Sequence, residues 1–156
     1  MILSEYLHKN NIIINAKSKN RWDLIQEMLD YAVKNRDVRE DDRDVIKKAL
    51  IEREKSMSTG IGKSVAIPHC TSIKVDDIII ILALCENGID FDAIDGLPVK
   101  IAILLLVPKN KLTQHIKTLA NIAKIMNNDE IRQELLTLKT PDAILKSIKK
   151  FESAKK

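Results

Sequence analysis

The chain has little of what several protein classes require. Its two cysteines, Cys70 and Cys85, show no C-x-x-C spacing and cannot build a disulfide framework in 156 residues. One Trp, two Tyr and two Phe leave scant material for the stacking platforms of single-strand nucleic-acid binders. The longest apolar run, Ile78 to Cys85, is far short of the roughly 18 residues of a membrane span. The opening residues, Met1 to Leu7, have no basic stretch ahead of their apolar ones, so no export signal is evident. Membrane insertion and secretion are set aside, and a reducing, cytoplasmic location fits. Charge of one sign is also lacking: Lys and Arg number 26 against 22 Asp and Glu, a net +4. The basic residues near the end (Lys146, Lys149, Lys150, Lys155, Lys156) interleave with apolar ones as on any solvated amphipathic face, so no nucleic-acid partner is expected.

What is present is 45% hydrophobic and 31% charged, the balance of a globular chain long enough to bury a core unaided. Hydrophobic periodicity alternates between helix and strand. A short helix is expected over residues 2–8 and a short strand at 11–14. A helix capped by Ser18 follows, carrying Trp22, Ile25, Met28, Leu29, Ala32 and Val33 at helical spacing. Another starts near Asp41 or Asp42, turns Val45, Ile46, Ala49 and Leu50 inward, and runs out at 53–56. The apolar runs 78–84 and 99–107 read as strands buried on both faces, with Asp95-Gly96-Leu97-Pro98 as a turn between them. The last third is helical: Leu112, Ile116, Leu119, Ala123 and Met126 on one face, then Ile131, Leu135 and Leu138. Thr140-Pro141 opens a final helix that holds Ile144, Ile148 and Phe151. The expectation is one α/β domain over residues 1–151, helices around a small sheet, with 152–156 a frayed tail.

Three histidines can each be weighed. His8, among Tyr6, Leu7, Lys9 and Asn10, reads as an incidental surface residue. His69 follows a short strand and Pro68, whose fixed φ stiffens the backbone that carries the ring; the plain alternative is a hydrogen-bonded histidine at a strand exit. His115 sits on the apolar edge of its helix, where a half-buried core histidine is the default. Arg53 lies between Glu52 and Glu54, so a solvated ion pair is its default, yet it stands just before the glycine turn Thr59-Gly60-Ile61-Gly62. That turn could present a hydroxyl and backbone N–H groups to an anion. Two imidazoles, a guanidinium fork and open amides together describe a phosphate site. Neutral imidazole, with an ordinary pKa of about 6.5, is a ready nucleophile near pH 7. Arg can match a phosphoryl charge of about −1.5 to −2 in two-toothed fashion. Transfer of such a group rests on positioning and charge stabilisation, so neither a metal nor another cofactor is called for.

From Arg53 to His69 the sequence resembles the enzyme IIA component of the bacterial phosphoenolpyruvate-dependent phosphotransferase system, in its fructose/mannitol and nitrogen-regulatory family. The matching residues are Arg53-Glu54, Ser58-Thr59-Gly60-Ile61-Gly62 and Val65-Ala66-Ile67-Pro68-His69. The stretch Ile89 to Val99, the run Leu104-Leu105-Leu106-Val107-Pro108, His115 and Leu119-Ala120 extend the likeness over about residues 1–150. The resemblance implies a mixed β-sheet flanked by helices and phosphorylation of His69 by the histidine-phosphocarrier protein HPr. His115 would lie beside the ring as an orienting or hydrogen-bonding group, and Arg53 would stabilise phosphoryl charge. Thr59 would add a hydroxyl contact, beside the Gly60 and Gly62 amides that the turn itself offers to a phosphate. It further implies a IIB protein or a regulatory target downstream, and a length that fits one such domain leans to the regulatory branch. Two departures stand out, Ser64 and Cys70, where the family commonly has glycine. Cys70 should point away from its neighbour on an extended backbone, which argues against a nucleophilic or metal-binding role for it.

Overall fold

The computed structural model describes residues 3–154. In chain order its elements are α1 (Leu3–Tyr6), β1 (Ile12–Ile13), α2 (Arg21–Lys34), α3 (Arg43–Ser56), β2 (Gly60–Gly62), β3 (Val65–Ala66), β4 (His69–Ser72), β5 (Ile79–Ile89), β6 (Val99–Pro108), α4 (Leu112–Met126), α5 (Asp129–Thr137) and α6 (Pro141–Ala154). The architecture is mixed α/β, as expected. The strands run β1-β5-β6-β3-β2, with β4 also on β6 beyond the end of β3. The pairs β1–β5, β3–β6 and β4–β6 are parallel, and β5–β6 and β2–β3 antiparallel.

The two long strands are continuously apolar because both their faces are covered. Ile79, Ile81, Ala83, Ala102, Leu104 and Leu106 face one core, shared with α2 and α3. Ile80, Leu82, Leu84, Ile101, Ile103 and Leu105 face the other, under residues from α1, α4, α5 and α6. The alternation is the period of two of a pleated strand.

Several local readings shift. Asn20, not Ser18, caps α2, its side-chain oxygen accepting from the Asp23 amide at 2.8 Å; Ser18 instead donates its hydroxyl to Glu27. Val45 is 54% exposed while Ile46 and Leu50 are buried. On α4 the buried positions are Thr118, Ile122, Ile125 and Met126, and Leu112 and Ile116 stand out in solvent at 62% and 64%. A period of 3.6 marks a stripe, but the packed neighbour decides which edge of it is covered. The expected tail is helical at least through Ala154, and Glu152 accepts from the amides of Leu3 (2.6 Å) and Ser4 (3.2 Å). Residue 2 of the first expected helix, with Lys155 and Lys156, lies outside the described residues.

Two features set the geometry around residue 69. Between β2 and β3, Lys63 and Ser64 both adopt left-handed backbone (φ 56° and 65°), the conformation of a two-residue hairpin turn. A glycine at position 64 would take this backbone without strain. Then β3 and β4 act as one strand along β6, broken at Ile67-Pro68. Pro68 has no N–H to give, and the Ile67 amide turns aside to the Thr59 carbonyl at 3.0 Å. Pairing resumes with the Leu105 amide on the Pro68 carbonyl (2.9 Å) and His69 opposite Leu105. His69 therefore opens a strand; it does not stand at a strand exit.

Candidate functional site

The break at Pro68 presents the His69 ring half-buried at the start of β4. Its Nδ1 lies 2.7 Å from the Ile67 carbonyl oxygen. A carbonyl only accepts, so this nitrogen carries the proton and the Nε2 lone pair is left facing the site. The next residue, Cys70, is buried on the other face of the sheet, where burial pushes its thiol up to about 12. It is neither a nucleophile nor a ligand there.

His115, in the first turn of α4, brings its ring against that of His69. The centroids are 5.4 Å apart and the planes 64° from parallel, an edge-to-face pair. Both nitrogens of His115 are buried and meet no hydrogen-bond partner among the described residues. Buried polar atoms are seldom left so. Among the described residues no third His, Cys, Asp or Glu joins the two rings in a cluster.

Arg53 completes the group from the last turn of α3. Its Nη1 donates to the Met57 carbonyl at 2.7 Å, not to the glutamates beside it in sequence. Burial lowers the pKa of His69; the Ile67 carbonyl opposes this, and the Arg53 charge and His115 add to it. Burial and then Arg53 likewise lower His115. Both shifts favour the neutral form of the rings. The two imidazoles thus meet, and the Arg53 charge acts on both, whereas His8 is exposed near the N-terminus.

The glycine turn is built differently from the open cradle expected of it. Thr59 donates its amide (3.0 Å) and hydroxyl (2.5 Å) to the Glu54 carboxylate, and the Gly60 amide donates to Ser58 Oγ at 3.0 Å. Neither residue has those groups left for an anion. Gly60 is glycine because a Cβ there would stand 2.8 Å from Ala93 Cβ. Gly62, at φ 91°, faces the Asp95 carboxylate, a poor neighbour for phosphate. That carboxylate accepts the Lys63 amide at 2.8 Å and the Leu97 amide at 3.1 Å, fastening the loop 90–98 across the hairpin.

Sequence reasoning matched Glu54 beside Arg53 but gave it no role. Glu54 is 2% exposed, holds Thr59, and has Arg21 Nη1 at 3.4 Å. Its position one residue after Arg53 suggested only a surface ion pair, and no local signal pointed to Arg21 or Thr59.

The family model described as phosphoenolpyruvate-dependent sugar phosphotransferase system, EIIA 2 matches residues 5–151. The chain is 30% identical, over 97% of its length, to the fructose-specific EIIABC component of the phosphotransferase system in Bacillus subtilis, of which it spans 24%. It is 32% identical to the nitrogen regulatory protein of Bradyrhizobium diazoefficiens, with 92% of each chain aligned. Among solved structures, the nitrogen regulatory protein IIA-Ntr from Neisseria meningitidis superposes with a TM-score of 0.85 at 27% identity, over 94% of this chain and 98% of that one.

Proposed function

The chain belongs to the EIIA 2 family of the phosphoenolpyruvate-dependent sugar phosphotransferase system, and from that membership we propose that Nε2 of His69 takes a phosphoryl group from phospho-HPr. The protein then acts through its phosphorylation state, as a cytoplasmic regulator of the nitrogen-regulatory type. One observation carries this reading: the His69 ring, with Nδ1 committed to the Ile67 carbonyl, stands 5.4 Å from His115 inside the reach of the Arg53 charge.

The Nε2 lone pair attacks phosphorus as the bond from phosphorus to the donor imidazole breaks, and its electrons return to the donor ring. The His69 ring becomes cationic as the new P–N bond forms, and the Ile67 carbonyl, holding the Nδ1 proton, stabilises that charge. Arg53 offsets the negative charge on the phosphoryl oxygens, and neutral His115 has an N–H to donate to one of them. Because both rings resist protonation, no proton has to be removed before attack.

Incubation with phosphoenolpyruvate, enzyme I and HPr should give an acid-labile, base-stable label on the peptide that contains His69. His69→Ala should abolish it; a label surviving in that variant would assign the wrong nucleophile.

A second reading is favoured by the 30% identity to the fructose-specific component: a sugar-specific IIA that passes the group to a cysteine of a IIB protein. Discharge of the phosphorylated protein onto IIB, in step with sugar phosphorylation, would select it. Phosphate held until a regulatory target binds would select the first.

A further inference from the structure

The Glu54 carboxylate is the most deeply buried acid among the described residues, yet it touches neither imidazole. Its bonds run toward them nonetheless. Oε1 accepts the Thr59 hydroxyl at 2.5 Å and Oε2 the Thr59 amide at 3.0 Å. The Thr59 carbonyl accepts the Ile67 amide at 3.0 Å. The Ile67 carbonyl accepts the Nδ1 proton of His69 at 2.7 Å. On the far side, Arg21 Nη1 lies 3.4 Å from Oε2 and donates to the Phe91 carbonyl at 2.8 Å, so the carboxylate is held by a charge as well as by the loop.

The alignment of the Ile67 peptide depends on this chain. Ile67 stands in the gap between β3 and β4, where its amide has no partner on β6 and bonds to Thr59 instead. A strand interior would hold that peptide by its ladder; here a loop holds it, and the loop is held by a side chain. A buried carboxylate accepting two donors, one of them a short hydroxyl bond, is a stiff anchor.

We propose that Glu54 is a positioning residue for His69: through Thr59 and the Ile67 peptide it fixes the imidazole in the Nδ1–H tautomer, with Nε2 turned to the incoming group. This accounts for Thr59 too, whose hydroxyl serves the anchor and leaves the anion to Arg53 and His115. The proposal rests on the reading of His69 as the phosphoryl acceptor, but the tautomer can be read with no phosphoryl donor present.

The test is ¹⁵N NMR of the histidine ring nitrogens in the whole chain, at a temperature well below unfolding. The parent should show a protonated Nδ1 and an unprotonated Nε2 at His69. Glu54→Gln puts an amide N–H₂ where one accepting oxygen stood, and should raise the Nε2–H fraction relative to Nδ1–H about tenfold, the size expected for one lost hydrogen bond. Thr59→Val, which deletes only the hydroxyl, should shift the ratio the same way, and Thr59→Ser should restore the parental ratio. Should Glu54→Gln fail to fold, the two Thr59 variants decide. A loss of thermal stability with the parental tautomer intact in the folded variants would overturn the proposal and leave Glu54 a loop anchor only. If the tautomer shifts as expected while the parent never accepts phosphate, the positioning role stands and the phosphotransfer reading falls.

Discussion

At His69 and His115 the same burial that shapes the site also makes it sensitive to acid. Both rings have pKa values below the ordinary 6.5, so the unfolded chain binds protons that the folded one refuses. Stability therefore rises with pH wherever that difference operates and is lost as pH falls below about 6.5 toward the lowered folded values. Urea titrations between pH 7.5 and 5 should show this slope, and it should flatten in the His69→Ala/His115→Ala double variant. The two rings differ in duty. His115→Ala should leave labelling of His69 possible but slow onward transfer by about 10-fold to 100-fold, the scale of one lost donor to a phosphoryl oxygen. An unchanged transfer rate would remove His115 from the site. That the backbone carrying His69 is stiff could be read in the sequence, because Pro68 fixes its own φ. Which nitrogen faces out could not, because the Ile67 carbonyl is aimed by the break between two strands.

Among the elements, the hairpin of β2 and β3 carries a cost that the long strands do not. Ser64 holds φ 65° with a Cβ attached, where glycine would sit without strain. Ser64→Gly should stabilise the fold by about 1 kcal/mol, somewhat offset by the freer unfolded chain. Chemical denaturation with an unchanged m-value is the measurement, and a destabilised variant would mean that the serine side chain has a role in packing. The long strands β5 and β6 were legible because apolar runs covered on both sides leave the same mark wherever they occur. The glycine segment was misread for the opposite reason. Gly60 and Gly62 answer to Ala93 and Asp95 on a distant loop, and a glycine kept for close packing cannot be told by eye from one kept for an anion.

Across the whole molecule, α1 and α6 are fastened to each other. Glu152 on α6 accepts from the first two amides of α1, a carboxylate at a helix N-terminus where both hydrogen bonds and the backbone dipole favour it. Glu152→Ala should cost about 1 kcal/mol and speed hydrogen exchange at residues 3–7, while labelling of His69 stays as in the parent. Unaltered exchange there would make the contact incidental. Residues 152–154 looked like a fraying tail because charged and small residues dominate them; their partner lies at the other terminus, beyond the reach of any local window.

Composition and periodicity by themselves determined that this chain forms one α/β layer structure, with strands buried on both faces and amphipathic helices over them. The run from Arg53 to His69 carried the family resemblance and so the proposal of where its chemistry lies. These are local properties, written in spacings of two and of three to four residues. Only the tertiary structure decided that His115 meets His69 edge to face, and that Arg53 grips Met57 while Glu54 turns inward to Thr59. It also decided that the amides of Thr59 and Gly60 are spent inside the protein. Each of those outcomes depends on which distant surface a side chain finds when the layers close, and adjacent residues on one helix, such as Arg53 and Glu54, can be sent to opposite tasks by that closure.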